Sequence, residues 1–107
     1  MRAEELKGNL DGMLLAVLSS GPRHGYSVIE ALRERSGGKV NLPSGTIYPA
    51  LHRLEAGGLV RSGWELVGGR RRRVYEITSA GEQALTATRA NWRDIIATIR
   101  AVVLNEG

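Results

Sequence analysis

Residues 59–78 read LVRSGWELVGGRRRRVYEIT. Two short, partly alternating segments, 59–66 and 74–78, flank the pair Gly68–Gly69 and a run of arginines. Alternation with a period of two is typical of strands, and a glycine-rich connection between two such segments is typical of a β-hairpin. We therefore predict a hairpin that carries four consecutive arginines at its tip and on its returning strand. These arginines are Arg70, Arg71, Arg72 and Arg73.

Two amphipathic helices are predicted well before this hairpin. The first begins near Leu6, repeats apolar residues at helical spacing, and ends at Gly21, where Gly-Pro interrupts the pattern. The second begins near Gly25 and ends at Ser36, which two glycines follow. Leu15 and Ala16 widen the apolar face of the first helix, as in a helix buried on more than one side, whereas the second helix buries one face. Both helices are therefore expected to need tertiary support from other elements.

A third helix is predicted from Ser44, as N-cap, to Gly57. Its apolar residues follow the spacing i, i+3, i+4 and i+7: Ile47, Ala50, Leu51 and Leu54. Pro49 lies beyond the first turn, where proline removes a hydrogen bond, so we expect a late start or a distorted first turn. The polar side chains outside the apolar stripe are Ser44, Thr46, Tyr48, His52 and Arg53.

The last predicted helix begins with a capping box, Ser79 and Glu82, and runs to about Leu104, a length of about 39 Å. Its apolar stripe has the 3-4 spacing of a coiled coil: Leu85, Thr88, Trp92, Ile95, Ile99 and Val102, widened by Ile96. Such a helix overhangs a small domain, which favours a homodimer interface on this stripe. The alternative is a helix that folds back on its own domain along its whole length.

Three helices followed by a two-stranded hairpin is the order of a winged helix-turn-helix, so the predicted fold class is mainly α with a small β-hairpin (α+β). In that fold the third helix enters the major groove of DNA and the hairpin, or wing, lies along the backbone. We divide the chain into a DNA-binding domain, 1–78, and a C-terminal dimerisation helix, 79–107. The alternative function is a winged-helix module that binds a protein partner and touches DNA weakly or not at all.

The composition restricts the function further. The chain has 107 residues, no cysteine and a net charge of +4; without the arginine run, basic and acidic residues balance at 11 each. A local arginine cluster is typical of nucleic-acid binding, although a solvated charge run or a membrane-surface patch has the same composition.

Trp64, in the first strand of the wing, is interpreted as a packing residue.

Enzymatic chemistry is not indicated. The sequence has no phosphate-binding Gly-Lys-Ser/Thr loop and no nucleophile elbow, and its two histidines, His24 and His52, lack metal-ligand spacing. We therefore predict no enzyme, no metal and no cofactor. With no signal-peptide pattern and no apolar run of membrane-spanning length, the expected location is the cytoplasm.

Four ordered segments resemble the PadR-type transcriptional regulators: 21–29, 44–55 with its proline, 58–60 and 69–81. The resemblance covers about residues 8–95. It implies a dimeric DNA-binding repressor of the short subfamily, whose single C-terminal helix supplies the dimer contact. A dimer would require an inverted-repeat operator in double-stranded DNA.

The resemblance also implies roles for three aromatic residues. Tyr26 and Tyr48 match positions close to the DNA backbone, although a plain structural role for Tyr26 is equally compatible with the sequence. Trp92 matches a position that stacks on flat, apolar effectors in some short members. A core or interface tryptophan is the alternative interpretation.

Overall fold

A computed structural model describes residues 8–106. Four helices and three strands follow one another as α1 (Leu10–Leu18), β1 (Arg23–His24), α2 (Gly25–Arg35), α3 (Ser44–Ala56), β2 (Val60–Val67), β3 (Arg70–Ile77) and α4 (Ser79–Val102). The strands form one antiparallel sheet in the order β1-β3-β2. The predicted α+β winged-helix class is confirmed. The predicted start of the first helix at Leu6 lies outside the described residues.

The core lies where α1, α2 and α3 meet the inner face of the sheet. It is aliphatic apart from one tyrosine, and its largest fully buried side chains are Tyr75, Leu14, Leu18, Ile47, Leu51, Val17, Val28 and Val60. Burial of each large apolar side chain contributes about 1.5–3 kcal/mol. This core fixes α3 and the hairpin relative to each other, which positions the two elements predicted to contact DNA.

The hairpin pairs Val60 with Ile77 and continues in register to Val67 and Arg70. Gly68 and Gly69 form its two-residue turn, with φ values of +59° and +78° that favour glycine. Because the turn is so tight, β3 begins at Arg70, directly after the tip of the hairpin. The arginines are therefore part of the strand, where alternation assigns them to two faces.

Strand β1 is not predicted from the sequence. It consists of Arg23 and His24, which pair with Tyr75 and Val74 of β3. Two residues are too few to show a strand period. The third strand nevertheless anchors the turn before α2 on the wing.

Helix α3 begins one residue earlier than the predicted cap at Ser44 implies, so of the two expectations raised by Pro49 the late start is wrong. Pro43 is the N-cap residue and Ser44 is already helical. The amide N–H groups of Thr46 and Ile47 both donate to the Pro43 carbonyl, at 3.0 and 3.2 Å, so the first turn is tightened. Pro49 lies inside the helix, and its nitrogen has no hydrogen to donate to the residue four positions earlier.

Helix α4 is capped by Thr78, which corrects the predicted capping box at Ser79. The Thr78 hydroxyl accepts from the Gly81 amide at 3.1 Å and donates to the Gly58 carbonyl at 2.7 Å. The helix has 24 residues, about 36 Å, and ends at Val102, two residues before the predicted end. Its first two turns belong to the core, because Leu85 is 3% exposed within the core cluster and α4 packs against α1 and β3.

Candidate nucleic-acid interface

The outward face of α3 carries the polar side chains predicted for base reading. Ser44, His52 and Arg53 are exposed, while Thr46 and Tyr48 are partly covered. The buried stripe of the same helix is formed by Ile47, Ala50, Leu51 and Leu54, as predicted. The fold therefore leaves polar side chains of α3 accessible at the side opposite the core.

Tyr48 links α3 to the start of α2. A Cβ placed on Gly25 would overlap the ring of Tyr48, so the tyrosine occupies the space that a larger residue at the helix start would take. Tyr48 also lines a cleft of about 240 Å³ together with His24, Trp64, Arg71 and Arg73. Helix α3 and the wing thus share one concave surface.

The wing arginines lie on two faces of β3. Arg71 and Arg73 alternate with the buried Tyr75, and their cross-strand partners are Leu66 and Trp64. Arg70 and Arg72 lie on the opposite face. The four arginines therefore do not form a single positive surface.

Arg73 is held by polar side chains of its own protomer. Its Nε donates to the Ser62 hydroxyl at 2.9 Å, and its Nη2 lies 3.9 Å from a carboxylate oxygen of Glu55. Ser62 in turn donates to the same Glu55 oxygen at 2.7 Å. This cluster joins the last turn of α3 to both strands of the wing.

Trp64 is not a core residue, which corrects its interpretation as a packing residue. Its side chain is 58% exposed, on the face of the wing that bears Arg71 and Arg73. The guanidinium carbons of these arginines lie 5.3 and 5.6 Å from the indole centroid, within the range of cation–π contact. The sequence pattern does not reveal this contact, because the imperfect alternation of β2 leaves its faces undefined.

Two further residues of α3 contact other elements. Arg53 forms an ion pair with Asp11 of α1. His52 Nε2 lies 3.5 Å from the phenol oxygen of Tyr75. Burial raises the pKa of the Tyr75 phenol above its ordinary value; Arg73 opposes this rise, whereas Glu55 adds to it.

The start of α2 has a capping histidine and an exposed tyrosine. His24 caps α2, because its Nδ1 accepts from the Ser27 amide at 3.2 Å. Tyr26, predicted near the DNA backbone, is 55% exposed in the first turn of α2. Among residues 8–106 no group of three His, Cys, Asp or Glu side chains could hold a metal ion.

Sequence reasoning passed over two residues at the centre of the outward face of α3. Gly45 and Pro49 are exposed and lie four residues apart, so they share this face. Open space surrounds the position that a Cβ of Gly45 would take. Helical spacing predicts that both residues lie on this face, but neither has a polar side chain that would mark it as a candidate DNA contact.

The apolar stripe of α4 divides into a covered and an open part. Leu85, predicted at the dimer interface, is instead buried in the core of its own chain, so its side chain is unavailable to a partner. Thr88 approaches Gly12 of α1 closely: a Cβ on this glycine would lie 3.0 Å from the threonine methyl. Beyond this point Ile95 is partly exposed, and Trp92, Ile96, Ile99 and Val102 are exposed.

A groove of about 520 Å³ lies between α1 and α4, where the stripe begins to open. Met13 and Ala16 of α1 line one side, and Trp92 and Ile96 of α4 line the other. Trp92 is 39% exposed there. The groove therefore offers an apolar surface next to the predicted dimer stripe.

The core, the outward face of α3 and the arginine-bearing hairpin define a winged helix-turn-helix of the DNA-binding kind. The sequence matches the model of the transcriptional regulator PadR-like family over residues 14–87, and the chain belongs to that family. The family comprises transcriptional regulators, not enzymes, and its membership connects the chain with DNA-binding regulation.

Individual relatives agree with this assignment. A transcriptional regulator of Mycobacterium tuberculosis is 50% identical over 67 residues, which are 63% of this chain and 50% of that protein. A PadR-like regulator of Bacillus cereus is structurally similar, with a TM-score of 0.83, 27% identity and coverage of 94% of this chain and 96% of that one. A Clostridium thermocellum regulator has a TM-score of 0.82, 25% identity and coverage of 94% and 98%.

No helix among residues 8–106 has both the length and the apolar character needed to cross a membrane.

Proposed function

We propose that this chain is a sequence-specific repressor that binds an inverted-repeat operator in double-stranded DNA as a homodimer. The observation that carries the proposal is the shared cleft in which Tyr48 of α3 meets the arginines of the wing. In this arrangement α3 reads base edges while the wing contacts phosphates, the division of labour of winged-helix proteins.

The proposed DNA contacts fall into two groups. Residues of α3 discriminate between bases: Ser44, Thr46, Tyr48, His52 and Arg53. Sequence-independent affinity comes from Tyr26 and from the wing arginines, Arg70, Arg71, Arg72 and Arg73. A lost base contact costs about 1–3 kcal/mol at one position, whereas a lost phosphate contact weakens all sequences alike.

The experiment is a competition titration of the purified chain between duplex selected from the source genome and a scrambled duplex, over a range of salt concentrations. Thr46→Ala and Tyr48→Ala are expected to reduce discrimination more than affinity for scrambled DNA. If neither the wild-type chain nor these variants distinguish the two duplexes, sequence-specific binding is refuted. A salt-independent, weak interaction with both duplexes would support the alternative function, a protein-binding module.

The dimer is proposed from the open part of the α4 stripe. Isoleucines 95 and 99 and Val102 form an apolar surface that extends beyond the core of one protomer, and a twofold mate would cover it. Ile95→Glu with Ile99→Glu is expected to give monomers or unfolded protein in light scattering. The matched control places the same charges on the other side of α4, as Ala97→Glu with Ala101→Glu, and should remain dimeric.

The groove beside Trp92 is the proposed site of a small, flat, aromatic effector that relieves repression. Its apolar lining and partly exposed indole are suited to stacking on such a ligand. Titration with a planar aromatic dye should quench tryptophan emission in the wild type and in Trp64→Phe, but not in Trp92→Phe. Equal quenching in both variants would place the ligand elsewhere.

A further inference from the structure

We propose that Trp64 is a positioning residue of the DNA interface, which holds the guanidinium of Arg71 ready to contact a phosphate of duplex DNA. The inference rests on the proposed function and deepens it. According to this proposal, the wing arginines contribute unequally to DNA affinity, and the exposed tryptophan of the wing increases that affinity.

A chain of contacts leads from the recognition helix to Arg71. Glu55, near the end of α3, accepts from Ser62 at 2.7 Å, and Ser62 accepts from Arg73 at 2.9 Å. The guanidinium of Arg73 then lies 5.6 Å from the Trp64 ring centroid, and that of Arg71 lies 5.3 Å from the same centroid. The indole thus contacts both guanidinium groups, and Arg73 is itself held by Ser62 and Glu55.

The two arginines in this series of contacts differ in how much of their positive charge is available to DNA. The charge of Arg73 is partly balanced by Glu55, whose carboxylate lies 3.9 Å away. Arg71 is exposed and contacts the face of an uncharged ring, which leaves the edge of its planar guanidinium and its fork of donors accessible. Arg71 is therefore better suited to bind a phosphate than Arg73.

The exposure of the Trp64 side chain indicates that this residue has a role outside the core. An indole that is 58% exposed on a strand contributes little to core burial, yet this one lines the cleft that also contains Tyr48. An arginine that is stacked on an aromatic ring before binding loses less side-chain freedom when it meets a phosphate. The ring therefore raises affinity without itself needing to contact a base.

The test is a double-mutant cycle on the full chain with Trp64→Leu, Arg71→Ala and both together. Binding to fluorescently labelled random duplex is measured by anisotropy at several salt concentrations. We expect Trp64→Leu to weaken binding about two- to fivefold per wing, the range of an exposed cation–π contact. Arg71→Ala should flatten the slope of log affinity against log salt by about 0.9 per wing, and adding Trp64→Leu should change little more.

Two further variants separate positioning from general effects. Trp64→Phe keeps an aromatic face and should restore most of the affinity lost in Trp64→Leu. Arg61→Ala removes one positive charge from the opposite face of the wing, where Arg61 pairs with Glu76 at 2.6 Å, and should cost less than Arg71→Ala. The DNA-induced change in tryptophan emission should disappear in Trp64→Phe, which retains Trp92.

Wild-type affinity and salt slope in Trp64→Leu would overturn the proposal, as would strictly additive losses in the double variant. If Trp64→Leu does not fold, Trp64→Phe and the comparison of Arg71→Ala with Arg61→Ala decide the same question. Normal binding by the wild type, with no effect of these variants, would refute only the role of Trp64. Failure of the wild type to bind any duplex would refute the proposed function as well.

Discussion

Asp11 of α1 and Arg53 of α3 form an ion pair between exposed side chains, 45% and 60% of whose surfaces remain accessible. The pair connects α3 to α1, the helix that packs against α4. It also places a negative charge beside a cation that is proposed to contact DNA. A phosphate that approaches Arg53 therefore competes with Asp11 for the same guanidinium.

Replacement of Asp11 is expected to increase affinity for DNA. Asp11→Asn removes the competing carboxylate, so binding to random duplex should become about two- to fivefold tighter at low salt, and the gain should shrink as salt screens the charges. The free energy of unfolding should fall by no more than about 1 kcal/mol, because exposed ion pairs contribute little to stability. Anisotropy titrations and urea unfolding measure the two quantities.

Asp94→Asn is the matched control, since it makes the same charge change on the exposed surface of α4, far along the chain from the wing. If both variants bind DNA equally tightly, net charge alone accounts for the gain and the Asp11 pair has no special role.

A methyl group at residue 25 is expected to disturb DNA recognition through Tyr48. In Gly25→Ala the new Cβ overlaps the tyrosine ring, and the ring can move because it is the end of a side chain. Discrimination between operator and scrambled duplex should therefore fall about as far as in Tyr48→Ala. Once Tyr48 is replaced by alanine, Gly25→Ala should have little further effect on DNA binding. A full additional loss in the double variant would show that Gly25 acts independently of the ring.

The stability of the protein at high pH is expected to depend on Tyr75. Its folded-state pKa is raised by burial, so the folded state keeps the phenol proton after the unfolded state has lost it. The contribution to stability is therefore complete below about pH 10 and decreases as the pH rises from there toward the folded-state pKa. Tyr75→Phe should unfold with a weaker pH dependence above about pH 10 in urea titrations. An identical decline in both proteins would assign it to other groups.

The hydrophobic period predicted those parts of the fold that bury one clear face. Such patterns predicted helices α2 and α3 and the hairpin. The four inward residues predicted for α3 are confirmed: Ile47, Ala50, Leu51 and Leu54. Strand β1 was not predicted, because two residues are too few to show a period. The arginine run was assigned partly to the tip of the hairpin, because the alternation of side chains does not reveal the length of the turn. Capping residues were misplaced by one position at α3 and α4, where Pro43 and Thr78 act instead of the serines that follow them.

The candidate site was less predictable than the fold, because it depends on contacts between distant segments. Leu85 fits the heptad spacing of the α4 stripe, yet the core of its own protomer buries it. The spacing of a stripe shows which residues are apolar but not which of two surfaces covers them. Likewise, the pairing of Trp64 with Arg73 depends on the register of β2 and β3, which the two-residue turn determines.

Gly81 is expected to be the most sensitive glycine for stability, because it lies where the first turn of α4 meets the chain before β2. A Cβ there would overlap the carbonyl oxygen of Leu59 and approach the Ile77 side chain at 2.7 Å. That carbonyl cannot easily move, since it accepts a hydrogen bond from the Thr78 amide at 3.1 Å. Gly81→Ala should therefore lower the free energy of unfolding by about 1–3 kcal/mol or more, the cost of overpacking.

Gly45→Ala makes the same chemical change in a helix with open space around the new methyl group, and it serves as the matched control. Alanine is the better helix former, so this variant should be more stable than the wild type by about 0.4–1 kcal/mol. Urea unfolding, followed by circular dichroism at one protein concentration, gives both values, so that the proposed dimerisation would affect them equally. If Gly81→Ala were as stable as Gly45→Ala, the close approach of α4 to Leu59 could not be a feature of the folded protein, and the position of α4 on the core would have to be revised.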